Sequence, residues 1–573
     1  MTHNQRGQTR RQFLAEAAGV AVSLSALGRI AAAATTVSPQ PGAGGVPAAV
    51  SKLTVAVDGW GWDQLSMVEG SGPCFLKDYF ATFLLMRDEN HNIVPALATE
   101  WGVSEDGLKL TLHPKAKWHD GTPITAEDIK WNFDAMRGDF APKFKGHWNR
   151  ASRFQPLIGE VEVIDAKHAF IKTKKPVGDL HIWYTGAGYH SVHFGPPHYL
   201  QKVGGQGYEK EPSGGGPYVV KEWRPGDRMV LERWDDFWGD SPWYHKPQHK
   251  TLEIILVPDA SSRFALLKSR QVDVAVNIPY NVAKDLPPSE FLGGRGVNPQ
   301  KGDVWTQTIT ASGNYNVVFV NLQAIKDSPN KPTPEELKPF DDIRVREAME
   351  LALNKVAISE KAHFGLTKPM AGLWFTASFG YRPGLPVSPY DPSRAKQLLK
   401  EAGYGNGFST AIYYGPFVNS PGIREWLEAA ASFWKEVGID VKIFEIASSE
   451  FYSRFGLAQQ QPERKWRPLA VQTWGRQEHM LHIAALGYQA GGTYNCCWDE
   501  RTSALVEKIT STMDEAVLSK ALAELEDHVL QQRWVIPMAE VSMVIGYTDR
   551  VLAHPTAPHA ASFEQLWRIV ARK

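Results

Sequence analysis

The chain has 573 residues, and its 62 Lys and Arg balance 62 Asp and Glu, enough length for roughly three to four domain-sized units. That balance excludes the basic excess of a nucleic-acid binder, and 43% hydrophobic residues exclude wholesale disorder. Three cysteines cannot build a disulfide framework or a four-cysteine zinc site, and tryptophan is abundant, 20 against 18 tyrosines.

At the N-terminus, Thr9-Arg10-Arg11-Gln12-Phe13-Leu14 precedes an apolar run from Ala15 to Leu27 and then Ala32-Ala33-Ala34. An arginine pair, a short apolar stretch and small residues are the pattern of a twin-arginine export signal. We therefore expect residues 1–34 to be a signal peptide and 35–49 a Pro/Gly/Ala linker. No later segment approaches ~18 uncharged apolar residues, so no membrane span is expected in the mature protein. The first cysteine after the signal is Cys74, too distant for a lipid anchor at a new N-terminus. The expected location is the periplasm.

Lys52 to Val57 alternates as a first strand and leads into Asp58-Gly59-Trp60-Gly61-Trp62, a loop with two indoles. Asp106-Gly107 before Leu108, Leu110 and Leu112 signals a hairpin. Thr125 and Asp128 form a capping box that opens a helix through Ile129, Phe133 and Met136. Residues 178–216 are rich in Gly, Pro and His. Strand character returns near Tyr218 to Val220, over Asp227 to Leu231 and over Leu252 to Val257, followed by a helix over Ala260 to Ser269 and alternation through Val272 to Val276.

From Tyr315 onward, strands alternate with capped helices. Val317 to Val320 has the pattern of a buried strand. Asp342 opens a helix whose apolar face is Val345, Ala348, Met349, Ala352, Leu353 and Val356. Asp391 caps another, with Pro392 at its first position and Gly403 past its end. Thr410 to Tyr414, Ile423 to Val437 and Ile439 to Phe444 form a strand-helix-strand unit, and Leu469 to Thr473 is a short strand. One long helical stretch is predicted from about Ser503 to Gln531. Such alternation predicts an α/β lobe with crossover connections, and the lack of a fixed-period repeat argues against solenoids and propellers.

Seven segments carry a resemblance. They are Val94 to Trp101, Asp106-Gly107, Trp118-His119-Asp120-Gly121 to Ile129, Gly216-Pro217-Tyr218 with Val272-Asp273, Pro339 to Ala348, and Tyr390-Asp391-Pro392 to Ala402-Gly403-Tyr404. In this order they resemble the family 5 bacterial solute-binding proteins of peptide-type ABC importers, the oligopeptide-, dipeptide- and nickel-binding proteins among them. The likeness implies an α/β, two-lobed periplasmic-binding-protein type II fold, a Venus flytrap with an extra subdomain in the first lobe. Residues 50–90, 211–310 and 540–573 would form lobe 1, 91–210 its insertion and 311–539 lobe 2, with hinges near Val304–Tyr315 and Trp534–Tyr547. It further implies a monomer without cofactor that closes on a solute and docks on inner-membrane permease subunits.

Ligands of such proteins lie between loops at strand ends. That places Trp60 and Trp62 on the first lobe, with Trp374 and Phe375 in the loop Pro369 to Phe379 and Trp474-Gly475-Arg476-Gln477-Glu478 on the second. Indoles supply a large contact area with few polar demands. In peptide-binding relatives the stretch beginning at this tryptophan carries an aspartate for the ligand's α-ammonium, and Gln477 stands at that position here. Glutamine lacks the charge a buried ammonium needs. Glu478 is one residue further on, and Arg476 suits a carboxylate, phosphate or sugar hydroxyl. The expected solute is thus a peptide or peptide-like molecule. The alternatives are an oligosaccharide or another neutral or anionic solute, or a role as a periplasmic ligand sensor.

His479 and His482 beside Glu478 fall short of a metal-ligand set, and no metal site is expected. Adjacent Cys496 and Cys497 have Cα atoms ~3.8 Å apart, below the usual disulfide span of ~4.4–6.8 Å. Joining either to Cys74 would tie the lobes together, so at least one reduced cysteine is expected. No zinc-protease motif, phosphate-binding loop or Gly-x-Ser-x-Gly elbow occurs, and a carboxylate pair such as Asp58 with Glu478 would need a spatial separation that sequence does not define. The expectation is a binder rather than an enzyme.

Overall fold

The structure is a computed structural model. It describes residues 51–573 except 62, 70–73, 89–91, 145, 147–156, 178–179, 181–191, 293–294, 320–333, 377, 416–420, 447–467, 476–483, 485–486, 490–497, 556–564 and 573. The proposed signal and linker thus lie outside the described residues.

The main strands are β1 (Lys52–Val57), β2 (Tyr218–Arg224), β3 (Arg228–Arg233), β4 (Thr251–Leu256), β5 (Val274–Ala275), β6 (Val304–Phe319), β7 (Lys368–Pro369), β8 (Phe408–Tyr414), β9 (Ile439–Glu445), β10 (Leu469–Gly475) and β11 (Val535–Thr548). They form one eleven-stranded sheet in the order β9-β8-β10-β6-β11-β5-β1-β4-β3-β2, with β7 pairing β11 off this path. The sheet joins two parallel sets: β1 runs parallel to β4 and β5, and β8 parallel to β9 and β10. Between the sets, long antiparallel β6 and β11 pair from Val304↔Thr548 to Val318↔Val535, with register shifts between Ile309 and Gly313 and between Tyr315 and Asn316.

The main helices are α1 (Ala126–Arg137), α2 (Ala260–Lys268), α3 (Ile343–Leu351), α4 (Lys355–Ala362), α5 (Pro392–Glu401), α6 (Ile423–Glu436), α7 (Glu500–Thr510) and α8 (Glu515–Gln531). The Thr125–Asp128 capping box is present at α1, and Asp391 caps α5 with Pro392 at its start. Two sequence expectations change. The helix opened by Asp342 ends at Leu351, and Asn354 caps a new helix by accepting from Ala357 N–H at 2.9 Å. Val345, Ala348, Met349, Ala352 and Leu353 are buried as predicted, but Val356 lies past the break and is exposed. The long stretch near 503–531 is likewise two helices, because Asp514 accepts from Ala516 and Val517 N–H and starts α8 afresh.

Two bodies of core result. The first unites β1, β4 and the Met543–Tyr547 half of β11 with α1 and a separate four-stranded antiparallel sheet. That sheet consists of Ala98–Ser104, Gly107–Leu112, His168–Thr173 and Ile158–Asp165. Gly107 is required in its hairpin: φ is +143°, and a Cβ there would come 2.0 Å from the Ile171 carbonyl oxygen. The second body sandwiches the other half of the sheet. α3, α5 and α6 cover one face through Val345, Leu398, Trp426 and Trp434, while α7, α8 and the Leu373–Phe375 loop cover the other. β11 contributes Ile536, Met538 and Val541 to the second body and Met543, Ile545 and Tyr547 to the first. A strand shared by two cores in this way can act as a hinge between them. No helix among the described residues is long and apolar enough to cross a membrane.

Candidate functional site

In open α/β sheets, ligands bind beyond the carboxyl ends of parallel strands. On the first body, β1 leads into Asp58 and β5 leads into Asn277. Arg263 of α2 holds these ends together, its guanidinium donating to the carbonyls of Val257 (2.6 Å), Pro258 (2.8 Å), Val276 (2.7 Å) and Asn277 (2.7 Å). Asn277 Nδ2 donates to Asp58 Oδ2 at 2.7 Å. Burial raises the Asp58 carboxyl above its usual range, against the opposing pull of Arg263 and the Asn277 hydrogen bond.

On the second body, β8, β9 and β10 end at Tyr414, Glu445 and Gly475, and the Tyr414 hydroxyl donates to Glu445 Oε2. The backbone register then draws one row across four strands: Trp474 opposite Asn314, Asn314 opposite Glu540, and Glu540 opposite Lys368. At strand spacings of about 4.8 Å, Trp474 and Glu540 sit about 10 Å apart along this row. The Trp374 loop folds onto the same row. Thr376 donates to the Glu540 carboxylate from its hydroxyl at 2.6 Å and from its N–H at 3.3 and 3.4 Å. Lys368 Nζ donates to the Thr376 hydroxyl at 3.1 Å.

A cavity of about 80 Å³ opens here, lined by Lys368, Trp374, Thr376, Arg382, Glu526 and Glu540 among others. Glu526 is fixed by Leu373 N–H at 2.6 Å and Arg382 Nε at 2.6 Å, while Arg382 Nη2 also reaches Asp527 at 2.7 Å. Burial raises the Glu526 carboxyl, opposed by these donors. Trp374 is 2% exposed, and its indole Nε1 has no hydrogen-bond partner among the described residues.

The other expected site residues fall in different settings. Trp60 is buried in the first core, its Nε1 donating to Asp63 Oδ1 at 2.6 Å and its ring edge-on to Trp223 at 5.5 Å. Phe375 is buried in the second body. Trp62, Arg476, Gln477 and Glu478 lie outside the described residues, as do His479, His482, Cys496 and Cys497, while Trp474 is placed by its backbone. Cys74 is a free, buried thiol, pushed up to about 12 by desolvation. No group of three metal-ligating side chains occurs among the described residues.

Lys368, Thr376, Arg382, Glu526 and Glu540 were not singled out by the sequence. Glu540 had a legible signal: it is the one charged residue in Val535–Thr548, a strand buried along its whole length. The bodies also touch away from the hinge, where Lys175 Nζ lies 2.9 and 3.1 Å from the two Glu507 oxygens on α7.

Two α/β bodies joined by paired long strands, with parallel strand ends converging on the junction, define a two-lobed type II solute-binding protein. The chain belongs to the bacterial extracellular solute-binding proteins, family 5, which it matches over residues 92–487. That family consists of solute binders rather than enzymes. The chain is 27% identical over 382 residues to the dipeptide-binding protein of Escherichia coli K12, covering 63% of this chain and 65% of that one. It is 27% identical over 362 residues to the glutathione-binding protein GsiB of Pectobacterium atrosepticum, covering 62% and 61% respectively. The chain thus spans somewhat under two thirds of the length of these curated relatives. In structure it is similar to the periplasmic binding protein DppA of Helicobacter pylori in complex with the peptide STSA, with TM-score 0.72 and 18% identity over 92% of this chain and 99% of that one.

Proposed function

We propose that this protein is the substrate-binding component of a peptide-type ABC importer. It captures a peptide or peptide-like solute between its lobes and delivers it to inner-membrane permease subunits. The observation that carries this reading is the pair of long strands β6 and β11, running side by side between two parallel sets of strands, with β11 shared by two cores. The family match and the dipeptide-binding relative support the choice of solute. Residues 1–34 act as a twin-arginine signal that delivers a monomeric mature protein to the periplasm, with 35–49 as linker. Residues 50–90, 211–310 and 540–573 form lobe 1, 91–210 its insertion and 311–539 lobe 2.

Trp374, Trp474, Arg476, Gln477 and Glu478 contact the solute from the second lobe and Trp62 from the first, with Trp60 and Phe375 backing the walls. Mass spectrometry of the compound released on denaturing the natively exported protein tests the reading, and a peptide with a free amine is expected. An oligosaccharide would overturn the peptide assignment while leaving the binder in place. Truncating a buried aromatic anchor costs about 1–3 kcal/mol, so Trp474→Ala should weaken binding of that compound by that amount. Loss of uptake on deleting the chain separates an importer from a sensor, whose deletion would abolish only a signalling response.

A further inference from the structure

Buried charges are ordinarily matched by an opposite charge, because desolvation leaves an unpaired ion costly. Glu540 departs from this. It is 6% exposed, and its side-chain partners among the described residues are the hydroxyl and N–H of Thr376, both uncharged. The nearby cations are otherwise engaged: Arg382 is shared between Glu526 and Asp527, and Lys368 is exposed, donates to the intervening Thr376 hydroxyl and lies over the Tyr381 ring. Two cations therefore face three carboxylates, and among the described residues Glu540 is the one of the three with no cation in direct contact. An ionised carboxylate accepts about four hydrogen bonds, so capacity remains on it.

The second observation is independent. Among the described residues, Trp374 Nε1–H is a buried donor without an acceptor, on a side chain lining the same cavity as Glu540. A buried polar group left unmatched in this way marks a place where a partner is missing. The cavity's 80 Å³ is well above the ~10–15 Å³ that a single water needs, room for a head group of a few heavy atoms.

We propose that this cavity is a subsite for a primary ammonium with an adjacent carbonyl, the end group of an α-aminoacyl compound. Glu540 binds the ammonium, and the Trp374 indole N–H donates to the carbonyl oxygen. The inference deepens the peptide reading above and rests on it for its biological meaning. It assigns the negative charge to a hinge strand, on the same register row as Trp474 and two strands away, rather than to the loop that follows Trp474.

The test uses the full mature chain with 15N-labelled indoles, the Trp374 resonance being identified by its loss in Trp374→Phe. Protonated glycinamide, acetamide and acetate are titrated separately. Glycinamide is expected to shift the Trp374 resonance with an affinity about tenfold above that of acetamide, since charge-assisted hydrogen bonds are roughly twice as strong as neutral ones, and acetate is expected to bind weakest. Glu540→Gln, close in size, should reduce glycinamide to the acetamide level. Acetate binding as tightly as glycinamide, no shift with glycinamide, or undiminished glycinamide binding by a folded Glu540→Gln protein would each overturn the proposal. The comparison of probes on the unmodified chain decides it even where that variant does not fold. A co-purified peptide without glycinamide binding would refute the subsite alone, whereas glycinamide binding with a co-purified saccharide would refute the peptide reading alone.

Discussion

Gly372 shows how tightly the loop below Trp374 is set. A Cβ at this position would stand 2.3 Å from Glu526 Oε1, an oxygen that Leu373 N–H already holds. Gly372→Ala should displace that carboxylate, lower the melting temperature and, by shifting the Trp374 loop, weaken solute binding. An unchanged melting curve would show that the loop yields freely. His249 sets a different limit. Desolvation holds its imidazole down to about 3 from an ordinary 6.5, with Arg233 and Arg550 acting in the same direction, and its Nε2 is hydrogen-bonded with the Tyr218 hydroxyl. His119 behaves alike, lowered to about 4 by burial, with its Nδ1 accepting from Gly214 N–H at 3.2 Å. Between those values and 6.5 the unfolded chain binds protons that the folded chain refuses. Stability contributed by these rings is therefore complete above 6.5 and declines as pH falls through that window. Urea unfolding at pH values on either side should show the decline, and His249→Phe should flatten it.

Among the elements, the helix breaks after Leu351 and after Thr510 are decided by caps. The apolar spacing runs on through Val356, yet Asn354 offers its side-chain oxygen to Ala357 N–H, and the chain restarts there. Replacing an N-cap Asn by Ala costs about 1 kcal/mol, so Asn354→Ala should lower stability by that amount in chemical denaturation. A smaller loss would mean that α4 is held by its packing alone. The first and second bodies were legible as strands and capped helices because each of their segments carries its own periodicity and cap. β7 was not: two residues, Lys368 and Pro369, carry no period, and only their pairing with Glu540 and Ala539 makes them a strand. The Trp374 loop was legible as aromatic, but its fold onto β11 depends on Thr376 meeting Glu540.

For the whole molecule, Lys175, just beyond the four-stranded sheet of the first body, meets Glu507 on α7 of the second. A solvent-exposed pair contributes about 1 kcal/mol at most, and 1 kcal/mol shifts a two-state equilibrium about fivefold. Lys175→Glu should therefore raise the radius of gyration of the ligand-free protein in X-ray scattering and hasten solute release. The double exchange with Glu507→Lys should restore both. Identical scattering and release rates in the single variant would remove this pair from the closing of the lobes.

What the sequence by itself determined is the list of local structures and their order: a first strand ending in indoles, a Thr125–Asp128 cap, a Gly107 hairpin, and the ordered motifs of family 5. Each depends on residues a few positions apart, and periodicity and capping act over that range. Tertiary structure alone decided which side chains meet. Trp374, Thr376, Lys368, Glu526 and Glu540 come from a loop, a two-residue strand, a helix and a hinge strand, and strand register and loop packing set their proximity. A lone glutamate in an apolar strand is visible in the sequence. That it meets no cation in direct contact among the described residues, beside an indole N–H without an acceptor among them, depends on every neighbour the fold brings to it.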